Sequence, residues 1–315
     1  MTATMNAPGA AVERWPTELP LQALCILVSL GIYLLLVVTV VGAVYALAFG
    51  LFFFVAHAIL VAQVRGSAVR LGPDQFPELY RRVLDIATRI GLDDLPDAYL
   101  MQAGGALNAF ATRFLGLNLI VLYSDLLEAC GDDEAARDMI IAHELGHLKA
   151  GHVKVRWLMA PAMFVPFLGT ALSRAREYTC DRYGLAGAGD RSGALLGLTI
   201  LAAGGKHAPA VNRRALARQR EDLATGWLTI GEWFGTHPPL SKRIAALDPA
   251  LVEGSTVPVS GRVRALAIIA AFVAVVVVGS ALLVGVWSRA LREARRPAVL
   301  QEQESAPPLG TSEGR

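Results

Sequence analysis

The chain has 315 residues, a formal net charge of +2 and a hydrophobic content of 54%. So small a positive excess, carried largely by arginines beside apolar runs, argues against nucleic acid as a partner. Three cysteines cannot close a disulfide framework.

Residues 1–20 read as an N-terminal tail. From Leu21 to Val64 the sequence is nearly continuously apolar, without Asp, Glu, Lys or Arg. One helix of that length would run about 66 Å, roughly twice the hydrocarbon thickness of a bilayer. Residues 21–64 are therefore expected to form a hairpin of two transmembrane helices, turning near Gly42 to Ala46. The run also far exceeds the ~7–15 apolar residues of a cleaved signal peptide.

Residues 65–261 are the only stretch long enough for a folded soluble domain. Gln75 to Ile90 has the apolar period of an amphipathic helix, with Leu79, Val83, Ile86 and Ile90 on one face and Gly91 as its stop. Ala98–Met101, Asn108–Phe114 and Leu119–Tyr123 follow as short strands separated by Gly104-Gly105 and Gly116. Glu134 to Lys149 is the next helix, capped by Gly131-Asp132-Asp133 with carboxylates at the positive end of its dipole. Further helices are expected over Arg191–Ala203, Asn212–Leu223 and Leu240–Leu247. Ala265 to Trp287 is a third transmembrane helix, bounded by arginines on both sides. Residues 288–315 form a C-terminal tail, and Arg295 to Arg315, rich in Pro, Glu, Ser and Gly, has a disordered composition. The fold class is α+β: a mainly helical domain with a small antiparallel sheet, anchored by transmembrane helices.

The chemistry concentrates at His143-Glu144-Leu145-Gly146-His147. Residues four apart on a helix share a face, so His143 and His147 can grip one metal ion, with Glu144 placed to take a proton from a metal-bound water. Catalytic zinc usually has a third protein ligand. Glu177 and Asp181 are again four apart, so a second helix can supply Glu177 as that ligand. Asp181 can then accept the other N–H of a ligand histidine and fix its tautomer. Each pair by itself is as readily a solvated helix face; the combination points to zinc, one ion per subunit. Trp157 to Leu172 is apolar but is not expected to cross the membrane, because a single passage would separate His147 from Glu177, and Pro161 and Pro166 break a straight helix. It is expected to hold the site close to the bilayer.

These motifs, with Gly151-His152 and Ser173-Arg174, resemble the HtpX-type membrane zinc endopeptidases, whose wider family includes the CAAX prenyl proteases. Asn108-Ala109-Phe110-Ala111 resembles the family's strand upstream of the zinc helix. Thr236-His237-Pro238-Pro239-Leu240, followed by Arg243-Ile244, resembles its C-terminal signature. The matches cover about residues 74 to 248 in the family's order. They imply a zincin-like domain cleaving peptide bonds, with His143, His147 and Glu177 on zinc and Glu144 as general base. One departure is that only 29 residues separate His147 from Glu177, where HtpX itself carries a longer insertion with membrane spans.

Around this centre, Asn108, Ala109 and Phe110 are candidates for binding an extended peptide along a free sheet edge, although the Asn108 side chain could equally satisfy its own backbone. His237 is the candidate oxyanion donor, with a helix-capping turn as its alternative. Arg174 is expected at the surface or beside a site carboxylate, Cys180 as a buried apolar thiol, and His57 as a packed residue of the second span. The expected partners are polypeptides, membrane proteins above all, and the lipid bilayer. Cleavage of misfolded membrane proteins ranks above CAAX-type processing, since three spans leave little room for an enclosed chamber. A catalytically silent scaffold has no use for Glu144. The expected location is a bacterial inner membrane, with the domain cytoplasmic by the vote of Arg65, Arg70, Arg81 and Arg82; the arginines after the third span vote the other way.

Overall fold

The computed structural model describes residues 12–102, 104, 105 and 107–304, with side chains described as far as Arg292. Two long helices, α1 (Glu18–Val38) and α2 (Val40–Ser67), lead into the short strand β1 (Val69–Arg70), helix α3 (Pro77–Arg89) and strands β2 (Asp97–Met101), β3 (Ala109–Phe114) and β4 (Leu117–Tyr123). Helices α4 (Ser124–Cys130), α5 (Glu134–Lys149), α6 (Ala160–Met163), α7 (Leu168–Ala188), α8 (Arg191–Ala203), α9 (Arg213–Arg218), α10 (Gly226–Phe234), α11 (Leu240–Leu247) and α12 (Ser260–Glu304) complete the chain. The molecule is mainly helical with one small sheet, the α+β class expected.

Among the described residues three helices are long and apolar enough to cross a membrane: α1, α2 and α12 as far as Arg292. The break between α1 and α2 falls at Thr39, not over Gly42–Ala46. Thr39 adopts an extended backbone, and its hydroxyl accepts the Gly42 N–H, capping α2. Gly42 serves the close approach instead, since a side chain there would collide with the Leu36 carbonyl. Residues 157–172 do not form a span. They fold as α6 and the start of α7, broken where Phe167 takes a φ of 66°. The segment lies against the apolar helices: the Tyr33 hydroxyl donates to the Trp157 carbonyl at 2.8 Å, and the Phe53 and Phe164 rings are 6.3 Å apart. The tail expected from residue 288 is helical to Glu304, because a formed span propagates cheaply through good helix formers such as Ala290, Leu291 and Arg292. Residues 305–315 lie outside the described ones.

The sheet runs β1-β2-β4-β3. It is mixed, not wholly antiparallel: β1 with β2 and β3 with β4 are antiparallel, but β2 and β4 are parallel. The chain leaving β2 passes β4's place in the sheet, forms β3 on the far side, and returns through the two-residue turn Leu115-Gly116, where both φ angles are positive. β3 is therefore an edge strand. Leu119, Ile120, Val121 and Leu122 of β4 are all fully buried. Ile120 and Leu122 face the main core with Ile86, Ile141 and Leu145, whereas Leu119 and Val121 pack on Val61 and Val64 from the last turns of α2. His57, also on α2, is buried; its Nε2 lies 3.2 Å from the Thr112 hydroxyl and its ring stacks on Phe114.

Helices α5 and α7 carry the motif residues and pack closely. Asp133 caps α5 by accepting the Ala136 N–H at 2.7 Å. The helices approach through glycines: a Cβ at Gly146 would sit 2.9 Å from that of Tyr183, and one at Gly187 would overlap Ala142. Burial of Ile141 and Leu145 of α5 in the same core as Tyr183 of α7 then stabilises the pair by about 1.5–3 kcal/mol for each aliphatic side chain.

Candidate metal centre

His143 and His147 stand one turn apart on α5, and Glu177 and Asp181 one turn apart on α7, so the contact between the two helices brings all four together. Nε2 of His143 lies 3.4 Å from Oε2 of Glu177, and Nε2 of His147 lies 3.5 Å from Oε1. On its other side, Nδ1 of His143 is 3.1 Å from Oδ1 of Asp181. Glu144 and His237 line the same cavity of about 430 Å³, together with residues 108–111 at the free edge of the sheet. Nε2 of His237 is 3.7 Å from Glu177 Oε1, and its Nδ1 is 3.0 Å from the Thr236 hydroxyl. Glu144 has no hydrogen-bond or ion-pair partner among the described residues, which leaves its carboxylate available to the cavity.

Arg243 on α11 closes the cluster from behind. Its Nε and Nη2 donate to the two Asp181 oxygens at 2.9 and 2.6 Å, and its Nη1 is 3.4 Å from Glu177 Oε2. Burial opposes ionisation of Asp181, but the Arg243 charge and hydrogen bonds hold its carboxyl below the usual range. Burial likewise opposes ionisation of Glu177, and hydrogen bonds from His143 and His147 hold it well below. For His143, burial works to lower the pKa, yet its bonds to Asp181 and Glu177 prevail and hold it at about 10. Binding a cation therefore means displacing a proton from His143 Nε2, while the Nδ1–H stays on Asp181.

The residues present fit a divalent metal. Glu144 and Glu177 line the cleft with Arg243, and Asp181 lies behind His143, so three carboxylates surround the two imidazoles. Two imidazole nitrogens converge on the same carboxylate, the donor set that zinc takes in catalytic sites. His143, His147 and Cys180 also offer one ligand atom each within 4.8 Å of one another. Cys180 is the weaker third donor: burial and the nearby Glu177 charge push its thiol well above the usual range, and zinc binds the thiolate. The Glu177 carboxylate already faces both Nε2 atoms.

Other expected residues fall elsewhere. Arg174 does not sit at the surface or on a carboxylate: its Nη1 donates to the carbonyls of Glu232, Trp233 and Gly235 at 2.7–2.9 Å, tying down the end of α10 just before His237. The Asn108 side chain accepts its neighbour Ala109's N–H at 2.9 Å, the backbone-satisfying alternative. Sequence reasoning missed three residues. Arg243 was noted only as part of a motif. His152 is buried, with Nδ1 3.1 Å from Nδ1 of His147 and Nε2 3.1 Å from Oε1 of Glu18, the first residue of α1. Burial, with the neighbouring His147, holds the His152 pKa at about 4 despite its bond to Glu18, so this ring is neutral. Only Gly151-His152 hinted at this, and nothing marked Glu18.

The sequence matches the model of Peptidase family M48 over residues 73–168 and 157–251, more than half of the chain. The chain belongs to peptidase family M48. It is similar to a protease HtpX homolog of Gemmatimonas aurantiaca, 26% identical over 252 residues, spanning 66% of this chain and 88% of that protein. It is also similar to the plastoglobule-localized metallopeptidase 48 of Arabidopsis thaliana, 28% identical over 143 residues and 40% of each protein. Among solved structures, the Ste24p of S. mikatae overlaps 73% of this chain and 62% of its own, at 15% identity and a TM-score of 0.39. This M48 chain is thus a metallopeptidase by family, with helices suited to a membrane.

Proposed function

We propose that the protein is a membrane-bound zinc metalloendopeptidase in which His143, His147 and Glu177 hold the metal and Glu144 is the general base. The observation that carries this is the convergence of both Nε2 atoms on the two oxygens of Glu177, in a cleft that Glu144 and an edge strand share. A zinc ion held by His143, His147 and Glu177 would supply a bound water with its pKa lowered towards about 7 and a Lewis acid for the scissile carbonyl. A substrate backbone adds to the free edge of β3, which presents its carbonyl to the cleft without regard to side chains. The Glu144 carboxylate takes the proton of the attacking water and returns it to the leaving amine nitrogen. His237, held by Pro238 and Pro239 and by the Arg174 clamp behind it, donates to the oxygen on which negative charge develops. Asp181 keeps the proton on His143 Nδ1, so Nε2 faces the metal.

The substrate class we assign is misfolded or membrane-embedded polypeptides. An edge strand reads backbone and tolerates many sequences, and the 157–172 segment packed on Tyr33 and Phe53 keeps the cleft beside the spans. We place the domain on the cytoplasmic side of a bacterial inner membrane, an orientation that Arg65, Arg70, Arg81 and Arg82 after the second span support. The test is casein hydrolysis by detergent-purified protein together with its zinc content. Expected are chelator-sensitive cleavage restored by zinc, and a Glu144→Gln protein that keeps zinc while losing cleavage. Cleavage that survives both chelation and Glu144→Gln contradicts the reading.

A further inference from the structure

The matched family segment begins at residue 73, yet a side chain from the first apolar helix reaches the metal centre. Glu18 is completely buried. Its Oε1 accepts from Arg14 Nη1 at 2.6 Å and lies 3.1 Å from Nε2 of His152, and its Oε2 accepts from the Thr179 hydroxyl. His152 in turn places Nδ1 3.1 Å from Nδ1 of His147. A carboxylate can only accept, so His152 donates to Glu18 through Nε2. The 3.1 Å contact between the two Nδ1 atoms needs one donor and one acceptor. With His147 Nε2 turned to the metal beside Glu177, its Nδ1 carries the proton and His152 Nδ1 accepts it.

From this geometry we infer that Glu18 and His152 are positioning residues that fix the tautomer and ring orientation of His147 for metal binding. The inference rests on the metal-site reading above. Each histidine ligand is then oriented by a carboxylate: His143 directly by Asp181 of α7, and His147 through the His152 imidazole by Glu18 of α1. Trp15 adds to this anchoring, its ring stacked 4.4 Å from Tyr178 and its backbone N–H donated to Thr179 Oγ1 at 2.8 Å. The N-terminal helix is therefore part of the metal centre as well as a membrane anchor, and a shift of α1 changes how tightly the metal is held.

The test uses full-length protein in detergent and measures zinc affinity by competition with a chromophoric chelator, for wild type, Glu18→Gln, His152→Gln and, as a control outside the network, Arg191→Gln, whose side chain pairs with Asp248. Thermal midpoints of the metal-free proteins are measured alongside, with visible spectra of the cobalt-substituted forms. Glu18→Gln and His152→Gln are expected to bind zinc about 10–100-fold more weakly, the usual effect of losing an outer partner of a ligand. Their cobalt bands should shift, while Arg191→Gln stays near wild type. Wild-type affinity and spectra in both Glu18→Gln and His152→Gln would overturn the inference and leave the metal site standing. A loss in all three variants that follows their thermal midpoints would also overturn it, as a folding effect. Should Glu18→Gln fail to fold, His152→Gln decides alone. A wild-type protein that binds no zinc brings down the metal-site reading itself.

Discussion

Replacing Asp181 by alanine removes one carboxylate from beneath a buried guanidinium and a ligand imidazole at once. Arg243 loses two hydrogen bonds of 2.9 and 2.6 Å, and His143 loses its Nδ1 acceptor. Breaking a buried ion pair from one side costs about 3–5 kcal/mol, because the other charge stays buried without compensation. For a folded unit of this size, each kcal/mol lowers the melting midpoint by about 2–4 °C, so Asp181→Ala should melt about 6–20 °C lower. Asp181→Asn keeps an acceptor oxygen but not the charge, and loses about 1.5–3 kcal/mol. Both variants should bind zinc about 10–100-fold more weakly. The sign with pH follows from the depressed Asp181 pKa. In metal-free protein its stabilisation is present above the unfolded carboxyl pKa and is lost as pH falls through the lower folded value, so wild type and Asp181→Asn should converge in acid. Melting curves with fluorescence detection and a chelator competition measure both effects. An Asp181→Ala protein with wild-type melting and zinc affinity would refute the placement of Asp181 under the site.

Glu144→Gln should retain stoichiometric zinc while peptide cleavage slows at least ~10²–10⁴-fold; loss of zinc in that variant would make Glu144 a ligand instead of a base. His237→Ala should lower kcat by about 10²–10³ with a smaller change in KM, and an unchanged kcat removes it from the oxyanion role. Gly187→Val pushes a side chain into Ala142 where α5 and α7 touch; it should cost about 1–3 kcal/mol and weaken zinc binding by moving Glu177 from the histidines, whereas a normal affinity would mean that the close approach is not needed. Cys180→Ala should leave zinc content unchanged, since the thiol is buried and protonated; depleted zinc would place sulfur on the metal.

The zinc helix was legible because its cap and its i, i+4 pair are local: Asp133 begins it, and Lys149 ends it at the residue expected. Helices α8 and α11 also have the bounds expected, Arg191–Ala203 and Leu240–Leu247. Helix α10 was not legible. Its sequence, Gly226 to Phe234, holds two glycines and no clear stop, and it is kept in place from outside by the Arg174 clamp and by Gly226 against Ile268 of α12. The parallel pairing of β2 with β4 depends on where the chain crosses, which strand composition does not encode. The four motif residues could be paired on paper because each pair sits on one helix face. Glu18 and His152, 134 residues apart, share no period or spacing, so their meeting depends on how α1 docks on α7. Arg243 was visible within a motif, but its bond to Asp181 needed α11 to pack against α7.

The claim that zinc sits between His143, His147 and Glu177 is tested most directly by zinc-edge X-ray absorption on the purified full-length protein. Two histidine nitrogens and carboxylate or water oxygens at about 2.0–2.2 Å, with no sulfur, are predicted. A sulfur shell at about 2.3 Å would place Cys180 on the metal, and that result, or a protein that retains no zinc, would contradict the account.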